Sequence, residues 1–286
     1  MNDFSSVFFG TPEFAVDTLT ALENANLLPD VIVTNPDKPA GRGLHVQPTP
    51  VKTWAQEREI PVLTPPSLKE SSDELDIILN SEWDVFSVSA YGGLLPKEIL
   101  ELPKKGTLNV HPSLLPRYRG ATPIESQILN DEKTVGVTIM LMDEELDHGP
   151  IVSQASITPE DWPLKSSMLR DLLGSVGGEL LAETIPPWLK GEITAEDQDH
   201  TQATFTKKLK KEDGELKLSD DGYANYLKFC AYDQWPGTYF FIEKDGKKIR
   251  VKITDALYKD RSFVPLKVIP EGKKEIMYEQ FISQNS

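Results

Sequence analysis

Val7-Phe8-Phe9-Gly10-Thr11-Pro12-Glu13-Phe14 reads as strand, turn and helix start within one short stretch. The apolar triplet suits a strand covered on both faces, and Gly10 eases a sharp turn. Thr11 before Pro12 has the order of a helix N-cap followed by a first helical residue. Behind them Phe14, Leu19 and Leu22 are spaced to face inward along a helix. The same alternation returns at Val31-Ile32-Val33, Val85-Phe86-Ser87-Val88, Leu108-Asn109-Val110 and Val137-Thr138-Ile139-Met140, with longer segments between. Short apolar runs separated in this way predict an α/β domain built on a doubly wound parallel sheet.

Two other stretches punctuate this part. From Asn35 to about Pro50 the chain is rich in Pro and Gly, which excludes regular helix or an interior strand and predicts an exposed loop. From Ser166, the residues Leu169, Leu172, Leu173, Val176, Leu180 and Leu181 recur at helical spacing, and Pro186-Pro187 is expected to end that helix. The polar stretch 192–206 reads as a linker, dividing the chain into 1–191 and 207–286. Beyond it, Ser219 to Tyr232 predicts a helix. Tyr239-Phe240-Phe241, Ile249 to Ile253 and Pro265 to Ile269 predict strands of a small β module.

Composition limits the function classes. With 39% hydrophobic and 26% charged residues in 286, neither a disordered nor a membrane class is favoured. The opening residues lack the basic and apolar regions of a signal peptide, so a cytoplasmic protein is expected; a monomer is expected as well. The single cysteine, Cys230, cannot staple the fold or complete a cysteine metal site, and a core position is expected for it. A formal charge of -15 looks hostile to nucleic acid, but 207–286 holds 16 basic against 13 acidic residues. That leaves 14 against 32 for 1–206.

No Gly-x-Gly-x-x-Gly follows the first strand and no phosphate-binding Gly-Lys-Ser/Thr loop occurs, which removes the main support for a nicotinamide or nucleoside-triphosphate enzyme. The strongest polar constellation is Asn109-Val110-His111-Pro112-Ser113-Leu114-Leu115-Pro116-Arg117-Tyr118-Arg119-Gly120. Asn109 and His111 leave a strand end on one face, and strand carboxyl ends are where open α/β sheets bind ligands. Alone, the pair would better suit a hydrogen-bonded strand terminus and turn than a functional site. A second segment, Leu146-Asp147-His148-Gly149-Pro150, follows the last apolar strand and can deliver a carboxylate near that histidine if the two strands are neighbours.

These two segments resemble the folate-dependent formyltransferases, whose Asn-x-His-x-Ser-Leu-Leu-Pro strand end and downstream Leu-Asp-x-Gly supply a catalytic trio. The wider chain is similar to the members that act on charged initiator tRNA. The matching stretches include Phe9 to Val16, Pro36 to Gly43, Pro50-Val51-Lys52, Ala90 to Pro96, Arg119 to Ile124, Gln202-Ala203-Thr204, Asn225, Trp235-Pro236-Gly237 and Pro270 to Lys274. The resemblance implies a Rossmann-like sheet with an OB-like C-terminal module. It implies transfer from 10-formyltetrahydrofolate to the amine of methionine on initiator tRNA, with no metal. Asn109, His111 and Asp147 would then be catalytic: the first two as oxyanion donors, the third as partner of the imidazolium and acceptor of the ammonium proton. By the same resemblance Gly92, Gly93, Leu94, Leu95, Ser113, Leu114, Leu115 and Pro116 hold the folate, with Asp143 on the loop bordering its pterin. Lys38 and Arg42 resemble the family's tRNA-contacting insertion and would contact the tRNA; Lys207, Lys208, Lys210 and Lys211 are expected to form a patch facing its acceptor stem, with a solvated charge run as the alternative.

The chain departs from that pattern in two places. Leu44-His45-Val46 stands where relatives often carry lysines, and the C-terminal module is short between Tyr258 and Phe263 and ends without a basic tail. A nucleotide-linked amino sugar is the alternative acceptor. A binding module without catalysis, or hydrolysis of the formylfolate, are further alternatives.

Overall fold

A computed structural model describes residues 3–40, 45–70, 72–244 and 246–285. Two compact units divide the chain: Met1–Arg119, Val135–Ile157 and Arg170–Phe205 form the first, and Gly120–Thr134, Thr158–Leu169 and Thr206–Ser286 the second.

The first unit is built on seven strands: β1 Ser6–Gly10, β2 Val31–Val33, β3 Val62–Leu63, β4 Val85–Ser89, β5 Thr107–His111, β6 Val135–Leu141 and β7 Ile151–Ile157. Their order across the sheet is β7-β6-β5-β4-β1-β2-β3. From β3 to β5 all neighbours are parallel, as the alternation of short strands and helices predicts. β1, β4 and β5 are buried along their whole length, which explains their unbroken apolar runs. β6 and β7 are antiparallel additions, so the sheet is mixed. β7 was invisible in the sequence because Val152 is its only buried residue and it carries no strong apolar run.

The first helix, Glu13–Asn24, buries Phe14, Leu19 and Leu22 as expected. Its N-cap is Pro12, not Thr11, and no side chain caps it. The Thr11 hydroxyl instead donates to Tyr91 O at 3.0 Å and accepts from Asn35 Nδ2 at 3.0 Å, tying together the loops that follow β1, β2 and β4. The long helix Ser166–Lys190 continues through Pro186 and Pro187. Proline's fixed φ is helical, and the Trp188 indole anchors the last turn by donating to Lys105 O at 2.9 Å. Gly191, at φ 75°, ends it.

The Asn35 to Pro50 region contains a short two-stranded antiparallel ribbon, Lys38–Ala40 with His45–Gln47, rather than plain loop, and His45–Gln47 is exposed. The stretch 192–205 is pinned within the first unit: Glu196 pairs with Ile151, and Gln198 is buried.

The second unit contains helix Pro123–Leu129 packed on helix Gly222–Ala231. Its antiparallel sheet runs in the order β8 Thr238–Lys244, β9 Lys247–Lys259, β10 Ser262–Pro270 and β11 Ile276–Met277. It is a small β domain, open among the described residues, since no pairing joins β8 to β11. The shortening between Tyr258 and Phe263 appears as a two-residue turn. Asp260 and Arg261 both have positive φ, the geometry that suits a tight hairpin. Cys230 is buried in this unit, as expected. β11 and helix Tyr278–Ser283 add a closing segment that the sequence reading did not anticipate. Among the described residues no helix is long and apolar enough to cross a membrane.

Candidate active site

The site starts from β5. Asn109 and His111 share one face of this strand, while Val110 points to the other. There the long helix comes so close that a Cβ on Gly177 would lie 2.7 Å from Val110 Cγ1, so only glycine permits the contact that seats the strand. His111 is 4% exposed. Its Nε2 donates to Tyr118 O at 3.0 Å, and its Nδ1 lies 3.6 Å from Asp147 Oδ1. Nε2 is thus committed to a carbonyl, while Nδ1 has a carboxylate beside it at a distance beyond a hydrogen bond. The Asn109 side-chain amide makes no hydrogen bond to any described residue, which leaves a donor beside the histidine for something else to meet.

The loop after β5 is held rigidly. Thr138, which lies opposite His111 in the register, donates its hydroxyl to Ser113 O at 2.7 Å and accepts from Leu115 N at 3.1 Å. Gln154 Nε2 donates to Leu115 O at 2.9 Å and to Thr138 Oγ1 at 2.8 Å. Ser113 Oγ donates to Arg117 O at 2.7 Å. These bonds place the Tyr118 carbonyl, from a residue at φ 62°, where the imidazole needs it.

Asp147 arrives by a different route from the one the sequence suggests. Because β6 is antiparallel to β5, its last residue, Leu141, pairs with Leu108, three residues below His111 and about 10 Å away along the strand. The loop 142–150 must fold back to reach the histidine. Gly149 makes this possible, since a Cβ there would fall 1.9 Å from Leu141 O. Asp143 ties the loop internally, accepting from Glu145 N at 2.9 Å and pairing with His148 Nδ1 at 2.7 Å. Lys97 Nζ meets Glu144 Oε1 at 2.6 Å. Gln198 Nε2 donates to Asp147 O at 3.0 Å and Gly149 O at 2.7 Å. Asp147 itself sits at φ 49°.

The remaining expected residues divide by burial. Ser113, Leu115 and Leu95 are buried and serve the packing of their loops. Leu114 and Pro116 are half-buried, and Leu114 packs on Gly136. Gly92, Gly93 and Leu94 are exposed, Gly92 at φ 77°. Leu94 at 68% and Leu146 at 63% exposure are large apolar side chains left uncovered, one on the loop after β4 and one on the Asp147 loop. Asp143 is committed to His148. Lys38 is exposed on the ribbon, and Arg42 lies outside the described residues. Lys207, Lys208, Lys210 and Lys211 are exposed in the second unit. Among the described residues no group of three or more His, Cys, Asp or Glu converges as a metal site.

Sequence reasoning missed the supports: Thr138, Gln154, Arg119, Gln198 and His200. Arg119 is buried and donates to Gln198 Oε1 from Nε at 3.1 Å and Nη2 at 2.6 Å, and from Nη2 to His200 Nδ1 at 2.9 Å. A polar stretch fixed by hydrogen bonds carries no apolar signature, so 192–206 looked like solvated chain.

A Rossmann-like sheet with an amide, an imidazole and a carboxylate gathered at one strand end defines a class. A family model described as formyl transferase matches residues 5–163, and the chain belongs to the formyl transferase family. Among its curated relatives, the methionyl-tRNA formyltransferase of Chloroflexus aurantiacus is 40% identical over 265 residues, covering 92% of this chain and 84% of that protein. The methionyl-tRNA formyltransferase of Listeria monocytogenes is 40% identical over 256 residues, covering 89% and 79%. A solved N-formyltransferase from Helicobacter canadensis, in complex with folinic acid and dTDP-3-aminofucose, superposes with a TM-score of 0.63 at 16% identity, covering 90% of this chain and 89% of that one. HypX from Aquifex aeolicus, in complex with tetrahydrofolic acid, also gives 0.63 at 16% identity, covering 99% of this chain and 47% of that one. At that identity both likenesses speak to the fold alone.

Proposed function

We propose that this chain transfers a formyl group from 10-formyltetrahydrofolate to the amine of methionine carried on initiator tRNA, the step that prepares it for translation initiation. The observation that carries this reading is the 40% identity to a methionyl-tRNA formyltransferase over 265 residues, a span too long for the first unit alone to supply. The chain's own residues fit a formylated folate: an unpartnered amide at Asn109, exposed Leu94 and Leu146 able to cover a flat ring, and backbone at Gly92 and Gly93 open to close approach.

The chemistry assigned to each residue follows from what the reaction demands. As the amine nitrogen bonds to the formyl carbon, the carbonyl oxygen gains negative charge; when that charge collapses the C–N bond to the donor breaks, and the proton still on the attacking nitrogen passes to the departing nitrogen, releasing tetrahydrofolate. Asn109 Nδ2 and the Nδ1–H of the cationic His111 ring donate to that oxygen, since Nε2 is taken by Tyr118 O and the 3.6 Å to Asp147 Oδ1 is longer than a hydrogen bond. One preset donor of this kind is worth about 2.7–4 kcal/mol in a transition state. Asp147 holds the imidazolium and accepts, directly or through water, the proton that the ammonium must lose before its lone pair can attack. Residues 1–191 carry this chemistry and 207–286 contribute to the acceptor, with Lys38, Arg42, Lys207, Lys208, Lys210 and Lys211 toward phosphate. The protein acts as a monomer in the cytoplasm.

A competition assay tests the acceptor. Purified protein is given labelled 10-formyltetrahydrofolate with both charged initiator tRNA and a dTDP-linked amino sugar. Label on the methionyl-tRNA is expected. Label on the sugar alone, or release of formate without transfer, overturns the proposal.

A further inference from the structure

We infer that Gln198 is a positioning residue for this reaction, holding Asp147 at His111, with Arg119 holding Gln198; this rests on the catalytic roles proposed above. Gln198 is 4% exposed and uses its whole side-chain bonding capacity. Its oxygen accepts two bonds from Arg119, at 3.1 and 2.6 Å, and its nitrogen donates two, to the carbonyls of Asp147 and Gly149. Those two carbonyls bracket His148, so the clamp fixes the backbone immediately after the Asp147 side chain.

Asp147 needs such a clamp. A φ of 49° is uncommon for a residue with a side chain, so the surroundings must hold it there. Its loop has also been turned back along the sheet by the antiparallel β6. Once released, the loop would relax and the carboxylate would leave its position 3.6 Å from His111 Nδ1.

The support closes on itself. Arg119 Nη2 donates to His200 Nδ1 at 2.9 Å. The His200 ring stacks on His148, with centroids 4.1 Å apart and planes 5° from parallel, and His148 is paired to Asp143. The residues that hold Gln198 thus also brace the other end of the Asp147 loop. Gln198 grips the loop by its backbone carbonyls, so the contribution of this support passes through the placement of Asp147. A displacement of about 1 Å at a reacting group can cost about 100-fold in rate.

Gln198→Glu separates positioning from stability. A carboxylate keeps both bonds from Arg119, and strengthens them, but presents oxygen where Asp147 O and Gly149 O need a donor. The expected result is a folded protein with a somewhat lower melting temperature, because two buried carbonyls lose their donor, a kcat about 100-fold lower, and a KM for charged initiator tRNA within about twofold. In an Asp147→Ala background the same change should cost nothing further, because the residue through which it acts is gone. Gln198→Met, of similar shape but without donors, is the second variant should the glutamate disturb folding, and the same non-additivity is expected of it. Parental kcat in folded Gln198→Glu or Gln198→Met, or an equal loss with and without Asp147, overturns the inference. Near-parental turnover by Asp147→Ala alone would instead remove the catalytic reading beneath it.

Discussion

Asn109 and His111 do different work from one strand face, and removing either should show it. With its donor gone, Asn109→Ala is expected to fold normally and lose about 10²–10³ in kcat, the usual cost of one oxyanion donor. His111→Ala, which removes both a donor and the partner of Asp147, should lose at least as much, with an unchanged far-ultraviolet circular dichroism spectrum. Turnover within threefold of the parent for either folded variant would contradict the assigned roles. At this scale the sequence was informative where a residue's chemistry is conspicuous. A histidine and an asparagine two apart at the end of an apolar strand, and an aspartate before Gly-Pro, stand out. Thr138, Gln154 and Gln198 did not, because a buried hydroxyl or amide is defined by the partners it finds across the fold, and nothing local announces them.

Among the elements, the first helix and the long helix hold an oddity. Asp17, on the first helix, has its carboxyl pushed up to about 6, by burial first and then by Asp171, against a lowering by Arg170. Its Oδ2 has no hydrogen-bond partner among the described residues, and a Cβ on Gly174 of the long helix would lie 2.7 Å from it. A carboxyl that holds its proton more tightly when folded than when unfolded costs stability once it is ionised. The cost is full above about 6 and fades as pH falls toward the unfolded value of 3.8. Asp17→Asn is therefore expected to raise the melting temperature at pH 7.5 by about 2–4 °C, on the order of 1 kcal/mol after allowing for solvent screening. The gain should shrink at pH 4. A lower melting temperature at pH 7.5 would refute this account.

Element type was legible from apolar period, but element direction was not. The run Val137 to Met140 reads the same in a parallel or an antiparallel strand, and only the pairing of Leu141 with Leu108 reveals which occurred. Thr11 failed as a cap because two other loops compete for its hydroxyl, a contest decided by tertiary contacts.

Across the whole molecule, charge is unevenly shared: about +3 from residue 207 onward against about -18 before it, within a total of -15. If a few exposed lysines such as Lys207, Lys208, Lys210 and Lys211 supply the phosphate contacts, four of them imply an affinity for tRNA about 100-fold weaker at 200 mM than at 50 mM monovalent salt. Filter binding across that range would measure the slope, and an affinity indifferent to salt would exclude lysine-phosphate attraction as the source of binding. The two-part organisation was legible in the shift from alternating strand and helix to consecutive strands. The grouping of Gly120–Thr134 and Thr158–Leu169 with the C-terminal residues was not.

That grouping means the backbone passes from one compact unit to the other five times between its ends. No single scission can release either unit with all of its own residues. A fragment beginning at 207 would lack helix Pro123–Leu129, the packing partner of helix Gly222–Ala231, and the Ser166 and Ser167 groups that bond Asp233. The chain's order is thus interleaved between the two units, and it resists the modular shuffling by which appended domains are gained or lost.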